Sequence, residues 1–266
     1  MSTRMSPGTS TRTRTDVRLT LVEVDRPAVP GAPVRVRTRD DLLAVRTVAR
    51  GTEHAEVALV ATGAVLLGGD HVTVRVRVAD GCALTLTDVG GTVAYDGDGA
   101  PCRWDVEVRL GAGARLTWWG LPFVVSTGAD VTRSTDAVLG AGARLVLRET
   151  VVLGRDGEAG GRVLLRSTAV DDDGPLLVEE VAAAGDRPVP GVLGGLRVID
   201  TVTRLHGSGG DETAPAAEPG APRADGAVTL RLERGGELTR WLGTSAHLSP
   251  LHRSDLVPAL PRQEIA

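Results

Sequence analysis

The sequence predicts an all-β protein whose short strands stack in layered or solenoid-like sheets, with one or two short helices. Two observations lead to this fold class. Apolar and polar residues alternate over many short segments, and a strand, turn, strand unit recurs along the chain. Alternation with a period of two is typical of strands that bury one face. A recurring pair of strands indicates units that bury that face only against their neighbours.

The alternation is clearest in HVTVRVRV, residues 71–78, where every second residue is Val. The segment CRWDVEVRL, residues 102–110, likewise places apolar residues on one face and mainly charged residues on the other. Both segments are predicted as half-buried strands. Similar short runs predict further strands at 17–24, 143–153, 162–170 and 228–232.

Three glycines mark the recurring unit. Gly81, Gly113 and Gly142 occupy equivalent places in VRVADGCALTLTD, VRLGAGARLTWWG and AVLGAGARLVLRE. Glycine can adopt the positive φ that a tight connection between two strands requires. We therefore expect a sharp turn at each of these positions.

The length of 266 residues suits a single all-β domain. Residues 1–15 are polar and basic and are predicted as a disordered N-terminal tail. Residues 16–206 form the predicted β-rich core, 207–226 a flexible loop or linker, and 227–266 a final strand and short-helix segment of the same domain. Helical patterning is weak and favours helices only near 179–184 and 243–260.

Composition excludes several classes of function. The net charge is −4 and the charges are interleaved, so neither nucleic acid nor a membrane is an expected partner. All 30 basic residues are Arg, which excludes the lysine of a phosphate-binding P-loop or of a Schiff base. Cys82 and Cys102 are too few for a disulfide framework or a four-ligand zinc site. With no apolar signal segment after Met1, a cytoplasmic protein is expected.

No motif for catalysis is visible. The five histidines are scattered, without the spacing of a metal-binding pair. Ser245 lies two residues before His247, but the frame of a nucleophile elbow is absent. We therefore expect no catalytic residue, no tightly bound cofactor and no firm metal site.

Four segments in a fixed order give more specific information about the protein than its composition does. They are AEVALVATGAVLLGGDHVTVRVRVADGCALTLTDVGGTVAY, GAGARLTWWGLPFVVSTGAD, GAGARLVLRETVVLGRDGEAGG and GPLLVEEVAAAG. This series resembles the UreD (UreH) family of urease accessory proteins from about residue 16 to 206. Matching positions include Gly68-Gly69-Asp70, Thr87-Asp88, and the set Glu149, Leu153, Gly154 and Arg155. At Leu121 the family's usual Glu is missing.

The resemblance implies a β-rich, non-catalytic scaffold that binds UreF, through UreF the GTPase UreG, and the subunits of apo-urease. It also implies that nickel, a cargo in transit, passes through polar interior passages to the urease active site. The candidates for lining such a passage are Asp70, Asp88, Glu149, Glu180 and Arg155. Each of the four carboxylates could equally be a surface or turn-capping group, and Arg155 could be solvated.

Two other functions fit parts of the sequence. Trp118, Trp119 and Phe123 could form a stacking platform in a non-catalytic ligand- or carbohydrate-binding module, although Trp118 shares the apolar face of Leu116. A β-solenoid enzyme would need two carboxylates in register on successive repeats. The aligned positions after the three turns hold Thr85, Thr117 and Val146 instead.

Overall fold

A computed structural model describes residues 18–63, 66–209 and 225–252. The predicted tail at 1–15, residues 210–224 of the predicted loop, and residues 253–266 lie outside the described residues. In the described ranges the regular elements are seventeen strands and two single-turn 3₁₀ helices. This composition confirms the all-β prediction.

The strands are named in chain order. They are β1 (Arg18–Asp25), β2 (Arg35–Arg39), β3 (Leu43–Arg50), β4 (His54–Ala61), β5 (His71–Val78), β6 (Ala83–Asp88), β7 (Thr92–Ala94), β8 (Cys102–Leu110), β9 (Arg115–Trp119), β10 (Phe123–Val125), β11 (Asp130–Leu139), β12 (Arg144–Leu153), β13 (Arg162–Asp171), β14 (Gly174–Ala184), β15 (Val198–His206), β16 (Val228–Arg231) and β17 (Gly236–Gly243). The 3₁₀ helices span Ala246–Leu248 and Pro250–His252.

The strands form two sheets. Sheet A has the order β14-β13-β11-β8-β5-β1-β2, and sheet B has the order β16-β17-β15-β12-β9-β6-β4-β3, with β10 and β7 as a branch beside β12. Neighbouring strands are parallel in the middle of each sheet, from β1 to β13 in sheet A and from β4 to β12 in sheet B. The outermost strands pair antiparallel.

The chain passes back and forth between the sheets, so successive passes stack as the coils of a solenoid. The three marked glycines turn the chain from sheet A to sheet B, with φ of +64° at Gly81, +63° at Gly113 and +64° at Gly142. Stacked turns are tied together by backbone hydrogen bonds, such as that from the Gly81 N–H to the Ala112 carbonyl at 2.8 Å. The predicted turns are confirmed.

The apolar core lies between the sheets. On β5 the side chains of Val72, Val74 and Val76 are fully buried, as the alternating pattern predicts. Residues of β8, β9 and β12 continue the same core. A second, smaller cluster lies on the outer face of sheet B, where Val198, Val202 and Trp241 pack with Leu251 from the second 3₁₀ helix.

The prediction of a helix near 179–184 is wrong, because these residues belong to β14. The short run of Glu and Ala has no helical neighbours, and pairing with β13 over the whole strand decides its conformation. A second helix was predicted within 243–260. There, β17 ends at Gly243 and is followed by the two short 3₁₀ helices. Residues 253–260 lie outside the described part of the chain.

Candidate functional site: a polar interior between the sheets

The core is interrupted by polar side chains where β11, β13 and β14 of sheet A face β12, β15 and β17 of sheet B. They surround a cavity of about 30 Å³, large enough to hold water. Successive side chains of a strand point to opposite faces, and these residues share the inward face with buried apolar residues of the same strands. The polar lining comprises the inward-facing Arg133, Thr135, Glu149, Ser167, Glu179, Thr201, Thr203 and Arg240, together with Arg166, which is exposed.

Glu149 lies at the centre of this interior. Its Oε1 accepts hydrogen bonds from Arg133 Nε at 3.2 Å and Nη2 at 2.8 Å, and from Thr135 Oγ1 at 2.9 Å. Only 17% of the Glu149 side chain and 14% of the Arg133 side chain are exposed. The carboxylate is therefore a buried acceptor whose charge is balanced by one guanidinium.

Aromatic rings hold Arg133 in place. Its guanidinium carbon lies 4.9 Å from the centroid of the Phe123 ring and 6.0 Å from that of Trp104. The two rings pack edge to face at 5.8 Å. Because a cation is attracted to the face of an aromatic ring, these contacts fix the position of Arg133 beside Glu149.

A second ion pair bridges the two sheets at their edge. Arg240 of β17 donates to both carboxylate oxygens of Glu179 of β14, at 2.8 and 2.7 Å, and its Nε donates to Thr201 Oγ1 at 3.1 Å. Between a fifth and a third of each charged side chain is exposed. This pair closes the polar interior towards solvent.

Asp88 lies on the other side of Glu149 from the pair of Arg240 and Glu179, because β6 and β17 flank β12 on opposite sides in sheet B. It lines a cavity of about 20 Å³ that shares Arg133 and Glu149 with the first cavity. Its carboxylate accepts hydrogen bonds from Trp118 Nε1 and the Leu121 N–H, both at 3.0 Å. Burial raises the pKa of Asp88, and the two hydrogen bonds and the charge of Arg133 offset only part of this effect.

The other three candidates lie on the surface and outside both cavities. The half-buried Asp70 accepts a hydrogen bond from the Leu67 N–H at 2.9 Å and so closes a turn. Glu180 pairs with Arg166 at 2.7 Å, with both side chains more than half exposed. Arg155 pairs with Glu158 at 2.7 Å, and this contact lowers the pKa of Glu158 to about 2. Of the five candidates, only Asp88 and Glu149 come together.

The sequence prediction missed Arg133, Glu179 and Arg240. One signal was available for Arg133, because it occupies the same phase of its strand as Val131 and Leu139. A charged residue at an apolar phase must find a buried partner. Glu179 and Arg240 meet only because β14 and β17 end up opposite each other, 61 residues apart in sequence.

The structure also bears on the alternative functions. Trp118 is 4% exposed and Phe123 is 1% exposed, both in the core, and the half-buried ring of Trp119 lies 5.3 Å from the guanidinium of Arg148. These rings therefore form no exposed stacking platform. In the described ranges, no group of three or more His, Cys, Asp or Glu residues is placed to hold a metal ion, and no helix is long and apolar enough to cross a membrane.

Comparison with known proteins decides the family. The model of the family described as UreD urease accessory protein matches residues 32–250. The chain belongs to this family. Urease accessory protein UreD 1 of Streptomyces griseus is 39% identical over 208 residues, which cover 77% of this chain and 79% of the relative. The UreD proteins of Streptomyces coelicolor and Streptomyces avermitilis are 38% and 35% identical, covering 71% and 77% of this chain and 75% and 74% of the relatives.

Membership of the UreD family confirms the resemblance that the four ordered segments indicated. It assigns the chain a role in urease maturation. It also confirms the prediction that the protein is a non-catalytic maturation factor and no enzyme. The polar interior is thus part of a urease accessory protein.

Proposed function

We propose that this UreD-family protein is a cytoplasmic scaffold that binds UreF, through UreF the GTPase UreG, and apo-urease. We further propose that nickel moves towards the urease active site through the polar interior between sheets A and B. Family membership supports the setting of urease maturation. The observation that carries the passage is the pair of cavities that share Glu149 and Arg133.

The donor groups of this interior suit a cation in transit. Asp88, Glu149 and Glu179 offer carboxylate oxygens, and Thr135 and Thr201 offer hydroxyl oxygens. Nickel held by imidazole or thiolate would be bound tightly, whereas oxygen ligands bind a late first-row metal more weakly. Each step of such a path therefore releases the ion easily.

The ion pairs set the conditions for passage. Glu149 is neutralised by Arg133, and Glu179 by Arg240, so a divalent cation must compete with a guanidinium for each carboxylate. Arg133 is fixed by its aromatic neighbours, whereas Arg240 lies at the edge near solvent. Entry of the cation is consequently easiest where Arg240 can turn outwards.

The test compares two carboxylates of the same chemical type. Glu149→Gln removes the charge of the interior carboxylate, and Glu180→Gln removes that of an exposed one. Urease is activated with nickel, UreF, UreG and each variant of the full chain. We expect Glu149→Gln to lower the yield of active urease several-fold while it still co-purifies with UreF, and Glu180→Gln to leave both measurements unchanged.

The double variant Asp88→Asn/Glu149→Gln covers the case in which loss of one carboxylate alone does not slow the passage of nickel. Activation equal to wild type by this folded double variant would refute passage through the interior. Binding of UreF is tested separately by pull-down. A folded full-length chain that fails to bind its cognate UreF would refute the scaffold assignment.

A truncation can examine the C-terminal end. Cutting at Gly243 would remove Leu251, which is 1% exposed and packs on Val198 and Trp241. Such a cut would confuse loss of UreF binding with loss of packing. Removal of residues 253–266 keeps every described member of this cluster, including Leu251, and is the better truncation for the pull-down.

A further inference from the structure

Two charged residues are common to the two interior cavities. Both the cavity of about 30 Å³ and the cavity of about 20 Å³ are lined by Arg133 and Glu149. Arg133 reaches this junction from β11 of sheet A, and Glu149 reaches it from β12 of sheet B. A cation that moves from one cavity to the other must therefore pass this ion pair.

The guanidinium groups of the neighbouring arginines lie elsewhere. Arg148 also borders the smaller cavity, but it donates to both carboxylate oxygens of Asp200 on the outer face of sheet B. Arg166 and Arg240 border the larger cavity, where Arg166 is more than half exposed and Arg240 lies at the edge towards solvent. The positive charge at the junction is thus supplied by Arg133.

Arg133 acts on two carboxylates at once. It donates two of the three hydrogen bonds that Glu149 Oε1 accepts. Burial raises the pKa of Asp88, and the charge of Arg133 is one of the effects that oppose this rise. Because charges interact more strongly in a poorly hydrated interior than in water, the same guanidinium repels a divalent cation from the junction.

Two features keep this charge in place. The guanidinium carbon of Arg133 lies 4.9 Å from the ring centroid of Phe123 and 6.0 Å from that of Trp104, and these contacts restrict its movement. A guanidinium also stays protonated in proteins, whereas a buried lysine can lose its proton. The junction therefore carries a fixed positive charge at every physiological pH.

We propose that Arg133 prevents the interior from trapping nickel. This inference rests on the proposed passage of nickel between the sheets. Without Arg133, the carboxylates of Asp88 and Glu149 and the hydroxyl of Thr135 would offer oxygen ligands beside an uncompensated negative charge, which favours a divalent cation. With Arg133 in place, the guanidinium occupies Glu149 Oε1 and repels the cation, so nickel leaves the junction quickly.

The test measures nickel binding by the purified full chain without an affinity tag. Arg133→Gln removes the charge but keeps an amide that can donate to Glu149, and Arg133→Met keeps apolar packing against Phe123. Calorimetry at about pH 8, which favours the ionised form of the unpaired carboxylate, should show that each variant binds nickel roughly tenfold or more tightly than wild type does. Arg166→Gln removes the same charge from an exposed side chain at the larger cavity and should leave the affinity unchanged.

Loss of one partner of the ion pair also lowers stability, so melting temperatures supply a second measurement. Arg133→Gln should melt below wild type. A fixed concentration of nickel should nevertheless raise its melting temperature more than that of wild type, because a ligand that binds the folded chain stabilises it. Arg133→Gln/Glu149→Gln should lose this gain. An ion pair with a structural role alone would lower the melting temperature without raising the nickel affinity, and this result would overturn the inference.

Urease activation distinguishes failure of this inference from failure of the proposed function. We expect Arg133→Gln to co-purify with UreF and to lower the yield of active urease several-fold, because nickel stays in the interior. Normal activation by an Arg133 variant that binds nickel more tightly would overturn the inference. So would equal nickel affinity of wild type and both Arg133 variants, whereas passage through the interior is refuted separately, by normal activation with Asp88→Asn/Glu149→Gln.

Discussion

Substitution of Asp200 by Ala should destabilise the protein strongly. Asp200 is fully buried on the outer face of sheet B. Its carboxylate accepts hydrogen bonds from Arg148 Nε at 3.1 Å, Arg148 Nη2 at 2.7 Å and Thr150 Oγ1 at 2.8 Å. Only 7% of the Arg148 side chain is exposed. Asp200→Ala therefore leaves a buried guanidinium without its counter-charge.

The size of the effect follows from this geometry. Removing one partner of a buried ion pair costs about 3–5 kcal/mol, mainly because the other charge remains buried and unpaired. In a chain of this size each kcal/mol lowers the melting temperature by about 2–4 °C. Asp200→Ala should therefore melt about 6–20 °C below wild type by calorimetry or circular dichroism.

Two further variants check this reasoning. Arg148→Met/Asp200→Leu replaces both charges by apolar groups and should recover most of the lost stability, because a buried pair contributes little over well-packed apolar residues. Glu180→Ala breaks the exposed pair with Arg166 and should cost less than about 1 kcal/mol. If Asp200→Ala melts within a degree or two of wild type, the argument from an unpaired buried charge is refuted.

Three other outcomes are expected. Burial alone would raise the pKa of Asp171, but hydrogen bonds from Arg234 and backbone N–H groups lower it below its ordinary value. Asp171→Asn should therefore lower the melting temperature at pH 7, and the difference from wild type should shrink as the pH falls through the lowered pKa of Asp171; a constant difference across pH would contradict this. Gly142→Ala should cost about 1 kcal/mol because φ is +64° there, and Gly142→Asn should cost less in chemical denaturation. Burial raises the pKa of Cys102 to about 12, so its thiol should react with iodoacetamide only after unfolding, which mass spectrometry can follow.

The coils of the fold could be predicted because the residues that specify each strand and turn lie close together in the sequence. The Val residues of β5 and the glycines at 81, 113 and 142 specify alternation and turns within a dozen residues. The error at β14 arose where local propensity was weak and pairing with β13 decided the outcome. Register between strands some 30 residues apart cannot be read from a single sequence.

The site was predicted only in part for the same reason. Asp88 and Glu149 came from a resemblance between ordered segments, and the structure places both beside the shared interior. Arg133 was open to detection from its phase in β11, whereas the contact between Glu179 and Arg240 depends on the final arrangement of the two sheets. Surface residues such as Glu180 look identical in sequence to buried ones.

The stacking of coils also affects how the chain must assemble. Each central strand hydrogen bonds to a parallel strand of the next coil, so a coil gains its bonds only after the chain has closed a long loop. Closing a loop lowers the conformational entropy of the chain before strand pairing can compensate for the loss. Folding is therefore slow, and strand edges stay unpaired while it proceeds. A chain whose own task is to assist the maturation of another protein is thus itself vulnerable to aggregation while it is being synthesised.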